Sequence, residues 1–232
     1  MPESKPLRTG FVPEHFSTPL HFAQKYFNLT AELIPFPSGT GHMITSLRAG
    51  EIDVGIGLTE GWIAGLGKEG VEGDGGYKIV GTYVETPLCW AISTGSSRNT
   101  ITSATSLSTH TKVGVSRIGS GSYVMASVLA DTMTPPPAFT FHPLQTFAAL
   151  REGVNSGSVD FFMWEHFTSK RYYDNGEIKR VGEIYTPWPS WEIVASTETL
   201  KGREAELEEV FGKLDQGIRY FEGNREEAVK YI

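Results

Sequence analysis

Along the first quarter of the chain, segments whose apolar residues have the spacing of a strand take turns with segments whose apolar residues have the spacing of a helix. Residues 7–12, 31–35 and 52–58 predict strands. Between them, Leu20, Ala23 and Phe27 share one helical face, and a second helix is predicted to end at Gly50. The order βαβαβ is typical of a mostly parallel sheet, whose ligand crevice lies at the carboxyl ends of the strands.

The same alternation returns in the second half of the chain. After two strands over residues 77–84 and 88–93, the pattern predicts a strand, a helix, a strand, a helix and a buried strand, at 112–115, 122–132, 139–141, 146–154 and 159–164. Further strands are predicted at 179–184 and 191–195, and helices over 207–221 and from Asn224, with Glu227 completing a capping box. Two similar halves predict an α/β protein with two lobes.

Charge narrows the class of partner. The net charge of -7 disfavours nucleic acid and anionic membrane surfaces, so a small solute is the expected partner. Residues 86–130 nevertheless contain no Asp or Glu, while Arg98, Lys112 and Arg117 carry positive charge there. We therefore expect the second lobe to tolerate an anion.

The N-terminus and the cysteine content bear on location and on the kinds of site that the chain can form. Residues 1–5 lack the apolar core of a secretory signal, and no apolar run approaches the ~20 residues of a membrane span. The predicted location is cytoplasmic, with a periplasmic or secreted location after cleavage as the alternative. Because Cys89 is the single cysteine, an internal disulfide and a cysteine-built zinc site are excluded.

Two turns rich in small residues each open a predicted helix. In the second half, Ser120, Gly121 and Ser122 follow a strand, and the first N–H groups of a helix together with its dipole form an anion-binding geometry. The alternative is a capped helix start without a ligand. Ser38, Gly39 and Thr40 occupy the corresponding position in the first half, and neither turn matches a P-loop or a dinucleotide fingerprint.

Aromatic and acidic side chains follow other strands. Trp164 ends the buried strand, and Thr59 and Glu60 follow the third strand, so an aromatic wall beside a carboxylate is expected. His15 and Phe16 follow the first strand, although a solvated loop histidine would explain His15 equally well. The histidines lack metal-ligand spacing and no nucleophile elbow occurs, so neither a metal site nor catalysis is predicted.

Three segments carry a resemblance to a known family. Residues 39–56 contain GTG and then LRAGEIDVGI, residues 113–122 read VGVSRIGSGS, and residues 157–164 read GSVDFFMW. Together they resemble the periplasmic-binding-protein-like domains of the nitrate, sulfonate and taurine type, including cytosolic fungal relatives without a transporter.

The resemblance implies a two-lobed type II fold, with a mostly parallel sheet flanked by helices in each lobe. Lobe one would comprise residues 1–86 and 188–232, and lobe two residues 87–187. The implied function is non-catalytic binding of a small anion or zwitterion without a cofactor. The implied ligand-binding residues are His15, Phe16, Ser38, Gly39, Thr40, Thr59, Glu60, Ser120, Gly121, Ser122 and Trp164.

Two alternatives stay open. A related branch makes the thiamine pyrimidine from a histidine and a lysine-bound pyridoxal phosphate, and Lys25 would be the candidate lysine, although the cysteine-rich motif of that branch is absent. The other alternative is a scaffold domain that uses the same fold without a ligand.

Overall fold

The computed structural model describes residues 5–232, so the predicted lack of a signal in residues 1–4 lies outside the described part. Contacts divide the chain into two compact units. The first comprises the described residues up to Gly57, Leu66–Tyr83 and Trp191–Ile232, and the second comprises Leu58–Gly65 and Val84–Ser190.

The first unit is built on a five-stranded sheet with the order β2-β1-β3-β10-β4. Its strands are β1 Arg8–Phe11, β2 Glu32–Pro35, β3 Val54–Leu58, β4 Tyr77–Val84 and β10 Trp191–Ser196. Strand β1 pairs in parallel with both β2 and β3. The unit's helices are α1 Thr18–Phe27, α2 Thr40–Arg48, α7 Thr197–Gly202, α8 Glu204–Gly223 and α9 Arg225–Tyr231.

Helices α1 and α8 pack closely because a glycine stands at their contact. A Cβ on Gly217 would lie 2.8 Å from the Cβ of Ala23. Leu20, Phe22 and Ala23 of α1 are buried, as are Leu207 and Leu214 of α8. The apolar stripes of both helices therefore face the core, as their spacing predicts.

The second unit contains the other five-stranded sheet, with the order β7-β6-β8-β5-β9. Its strands are β5 Cys89–Gly95, β6 Lys112–Val115, β7 Thr140–Pro143, β8 Phe161–Glu165 and β9 Ile178–Tyr185. Strand β6 pairs in parallel with β7 and β8, whereas β5 runs antiparallel to β8 and β9. The unit's helices are α3 Thr59–Leu66, α4 Gly121–Asp131, α5 Phe147–Ser156 and α6 His166–Asp174. The predicted α/β class, with a sheet and helices in each half, is confirmed.

The structure corrects three details of the sequence analysis. Helices α3 and α6 lie in segments to which the sequence analysis assigned no element. The predicted capping box at the start of α9 is wrong, since Asn224 makes no side-chain capping bond and its amide instead donates to the carbonyl of Tyr220 (2.8 Å). Glu227 accepts hydrogen bonds from Tyr220 of α8 (2.8 Å) and Lys25 of α1 (3.1 Å). These bonds anchor α9 to α1 and α8, and Glu227 does not cap its own helix.

An acidic residue from outside residues 86–130 offsets part of the positive charge of that segment in the folded protein. Arg98 forms an ion pair with Asp160, which precedes β8. The backbone N–H of Lys112 also donates to the Asp160 carboxylate (2.8 Å). A carboxylate from elsewhere in the chain thus neutralises part of the segment.

Within the described residues, no helix is long and apolar enough to cross a membrane. The same residues contain no cluster of His, Cys, Asp and Glu side chains that could hold a metal ion.

Candidate functional site

The start of α4 forms the centre of a candidate site in the second unit. The chain leaves β6, passes through Ser116 and reaches Ser120, the N-cap of α4. Ser120, Gly121 and Ser122 are all buried. The first turn of a helix leaves N–H groups without intrahelical acceptors, so this buried start can donate to an anion.

Both serine hydroxyls also serve the local structure. Ser120 Oγ accepts a hydrogen bond from the N–H of Tyr123 (3.4 Å), and Ser122 Oγ accepts one from the N–H of Ser116 (3.2 Å). The two hydroxyls are 2.9 Å apart and share one hydrogen bond. Their mutual bond uses one of the two hydroxyl hydrogens, so the pair retains one further donor.

Glu60 lies against this helix start. A Cβ on Gly121 would be 3.0 Å from Glu60 Oε1, 3.1 Å from the ring of Trp90 and 2.9 Å from Leu58. Only a glycine allows Glu60 and Trp90 to approach the backbone so closely. Glu60 is 3% exposed, and its Oε2 accepts a hydrogen bond from the indole of Trp188 (3.1 Å).

Two buried polar atoms in this region have no hydrogen-bond partner among the described residues: Glu60 Oε1 and Trp90 Nε1. Burial raises the pKa of Glu60 to about 7, although hydrogen bonds from its own N–H and from Trp188 favour the charged form. An unpartnered buried polar atom is costly, so both atoms are candidates for contact with a ligand.

Thr59 has a structural role beside Glu60. Its N–H donates to the carbonyl of Ser190 (3.1 Å), and its hydroxyl donates to the carbonyl of Pro189. These bonds tie the start of α3 to the segment that carries Trp188. Thr59 therefore positions Glu60.

The structure does not bring Trp164 to this group. Trp90 pairs with Glu165 and Ala91 pairs with Trp164 across β5 and β8. Because successive residues of a strand point to opposite faces, Trp164 lies on the face of the sheet opposite Trp90. There it stacks on Phe147 of α5, with ring centroids 4.9 Å apart, in a hydrophobic cluster.

The remaining predicted residues lie in the first unit, at the carboxyl ends of β1 and β2. His15 and Phe16 lie in a 3-10 turn, with ring centroids 3.9 Å apart, and Phe16 contacts Trp191 at 5.0 Å. Tyr83 donates a hydrogen bond to the carbonyl of Phe16 (2.6 Å), which fixes this turn. Together His15, Phe16 and Trp191 form an aromatic row.

Ser38, Gly39 and Thr40 form the start of α2. Ser38 Oγ lies 2.7 Å from Nδ1 of His42, and both side chains are exposed. Gly39 is the N-cap, with a φ of 80° that favours glycine, and no side chain caps the helix. Thr40 is buried.

Sequence reasoning missed Trp90 and Trp188. Trp188 lies between two prolines just after β9, at a strand end, and that position could have drawn attention to it. Trp90 stands in the middle of an apolar run, and nothing in its local sequence distinguishes it from a core residue.

Lys25 does not resemble a lysine that forms a Schiff base. It lies on the exposed part of α1, 3.1 Å from Glu227 and over the ring of Tyr26. Hydrogen bonds with Tyr26 and Glu227 raise its pKa above the ordinary value. A nucleophilic lysine needs a lowered pKa, so this environment favours an inert ammonium group.

Comparisons with known proteins agree with this architecture. The profile of the family described as Ca3427-like PBP matches residues 90–184. The sulphonate-binding protein SsuA of Escherichia coli is 17% identical, with a TM-score of 0.71, over 98% of this chain and 77% of that protein. The alkanesulfonate-binding SsuA of Xanthomonas axonopodis pv. citri, bound to MOPS, is 17% identical, with a TM-score of 0.75, over 99% of this chain and 78% of that protein. At these identities the likeness to the SsuA proteins shows the fold.

Among the curated proteins, none matches the chain. The solved structure of the Candida albicans CA3427 gene product, described as defining a family with the generic periplasmic binding protein fold, is 43% identical. Its TM-score is 0.88, over 98% of this chain and 75% of that protein. The chain therefore belongs to the Ca3427-like family of proteins with the periplasmic binding protein fold.

Proposed function

We propose that this protein binds one small anion or zwitterion without transforming it, and that its two units act as lobes that close over the ligand. The observation that carries the proposal is the buried start of α4, where a capped helix, spare hydroxyl hydrogen and two unpartnered polar atoms occur together. We also propose that the protein is cytoplasmic, as the sequence predicts.

The charge of the helix start supports an anionic group on the ligand. The N-terminus of a helix carries the equivalent of about half a positive charge, and acidic side chains are absent from residues 86–130. Arg117, two residues before Gly119, lies in the loop that leads into the helix. MOPS, the compound bound to the Xanthomonas protein, is a sulfonate and so carries an anionic group of the kind that we propose for the ligand.

Native mass spectrometry of freshly purified protein is the first test, because a tightly held ligand co-purifies and adds its mass. A thermal-shift series with ethanesulfonate, nitrate and 2-aminoethanesulfonate then separates anions from a zwitterion. A ligand present at about 100 times its dissociation constant stabilises the native state by ~2.7 kcal/mol. No added mass and no thermal shift with any of these compounds would contradict the proposal.

The site is tested by replacing both hydroxyls, with Ser120→Ala and Ser122→Ala in one variant. Hydrogen bonds to a charged partner contribute about 1.5 to 3 kcal/mol, so affinity should fall roughly tenfold or more while backbone donors survive. The matched control is Ser127→Ala in the middle of α4, whose hydroxyl donates to the carbonyl of Tyr123. Titration calorimetry measures both variants, and equal affinity in the two would show that the serines only start the helix.

A further inference from the structure

The carboxyl group of Glu60 is buried without a cation. Within the described residues no ion pair involves it, and its pKa is governed by burial, by its own N–H and by Trp188, with no contribution from a charged side chain. The neighbouring rings of Trp90 and Trp188 are neutral. Burial without a counter-charge favours the protonated acid.

Other titratable groups around Glu60 are engaged elsewhere or uncharged. Glu165 pairs with Trp90 across the sheet, but its carboxylate accepts two backbone N–H groups at the start of α6 (2.6 and 2.8 Å). Arg117 lies in the loop before α4, and burial lowers its pKa. The thiol of Cys89 neighbours Trp90 in β5 and lies 3.5 Å from Glu183.

Trp188 decides which oxygen of Glu60 can carry a proton. Its indole N–H donates to Oε2, which therefore acts as an acceptor. The proton of the neutral acid then resides on Oε1, the unpartnered oxygen that lies against Gly121. A protonated carboxyl is a hydrogen-bond donor, so Oε1–H adds to the N–H groups of the helix start.

We propose that Glu60 is protonated in the bound state and donates its Oε1–H to the anion held at the start of α4, so that ligand binding takes up one proton. This inference rests on the proposed function. An ionised Glu60 would place a negative charge next to the anion in a buried environment, where like charges repel strongly. The neutral acid instead makes every polar group of the site a donor.

The affinity for ethanesulfonate across neutral pH tests the inference, because a sulfonate is the anion of a strong acid and keeps its single negative charge throughout this range. Affinity should be constant while Glu60 is protonated and should fall roughly tenfold for each pH unit above its pKa. The variant Glu60→Gln keeps an N–H donor but does not titrate, so its affinity should be independent of pH. Glu208→Gln, on the exposed face of α8, is the matched control and should follow the wild type.

Calorimetry in two buffers of different ionisation enthalpy measures the proton directly. Above neutral pH the wild-type protein should take up close to one proton per ethanesulfonate, and Glu60→Gln should take up none. Thermal unfolding establishes that Glu60→Gln is folded. A second variant, Trp188→Phe, removes the bond that favours the carboxylate, so its loss of affinity should begin at a higher pH than in the wild type.

Two results would overturn the inference while the proposed function stands. One is ethanesulfonate binding that does not change with pH in the wild type. The other is tighter binding of 2-aminoethanesulfonate as the pH rises, lost in Glu60→Gln, which would make Glu60 an ionised partner for an ammonium group. If no anion binds at any pH, the proposed function fails and this inference fails with it.

Discussion

The starts of α2 and α4 are similar in sequence but differ in position, burial and hydrogen bonding. Helix α2 follows the edge strand β2, whereas α4 follows β6, one strand in from the edge of its sheet, so the predicted correspondence of the two turns is wrong. At α2, Gly39 caps the helix with a positive φ, and Ser38 bonds to His42 in solvent. At α4, a serine caps the helix, Ser120, Gly121 and Ser122 are buried, and Gly121 lies against Glu60 and Trp90. Similar turns in sequence therefore provide different chemistry, because burial makes an unpartnered polar atom costly.

The largest expected difference between the two helix starts is in the pH dependence of stability, because the buried carboxyl of Glu60 lies only at the start of α4. Its pKa in the native state is raised from 4.5 to about 7, so the native state holds this proton more tightly than the unfolded state. The stabilisation is complete below pH 4.5 and is lost as the pH rises through about 7, by at most ~3 kcal/mol. Urea denaturation of the ligand-free protein across this range measures the loss.

Glu60→Gln should remove that loss, since the amide cannot ionise. Glu208→Gln should keep it. A Glu60→Gln profile with the same slope as the wild type would assign the pH dependence to other groups.

The next largest difference in stability is expected from giving a side chain to the glycine at each helix start, Gly121 and Gly39. Gly121→Val places atoms against Leu58, Glu60 and Trp90, at positions about 3 Å away, so we expect a loss of about 2 to 3 kcal/mol in the free energy of unfolding. Gly39→Ala meets no atom within 4 Å but must adopt a φ of 80° with a ψ of -170°, a region that glycine almost alone occupies, which costs about 1 to 3 kcal/mol. Chemical denaturation measures both. A loss below about 1 kcal/mol in Gly121→Val would mean that the neighbours of Gly121 relax without cost.

The smallest effect comes from the serines. Ser120→Ala removes the N-cap of α4 and should cost about 1 kcal/mol of stability. Ser38 does not cap α2 and its partner is exposed, so Ser38→Ala should change stability by less than about 0.5 kcal/mol. Chemical denaturation of both variants measures the free energies of unfolding. A larger loss in Ser38→Ala than in Ser120→Ala would contradict the comparison.

Most strands and the long helices could be predicted because their apolar period is regular. Helix α3 was missed because Gly61 and Gly65 lower its helix propensity, and α6 was missed because its polar sequence shows no apolar stripe. The capping box at Asn224 failed because tertiary partners on α1 and α8 engage Glu227.

The candidate site was predicted in part. Ser120, Gly121 and Ser122 were recognisable because a strand, small residues and a helix follow one another along the chain. The approach of Glu60 to Gly121 was not predictable, since these residues are far apart in sequence. Trp90 and Trp188 reach the same place through the antiparallel pairing of β5 and through the bonds between Thr59 and residues 189–190.

The sequence by itself determined the alternation of strands and helices, the two halves and the location of both helix starts, because these depend on local periodicity and turn chemistry. The tertiary structure decided which start became buried and which side chains lost their partners. Burial depends on contacts between distant segments, and it sets both the pKa of Glu60 and the cost of its unpartnered oxygen.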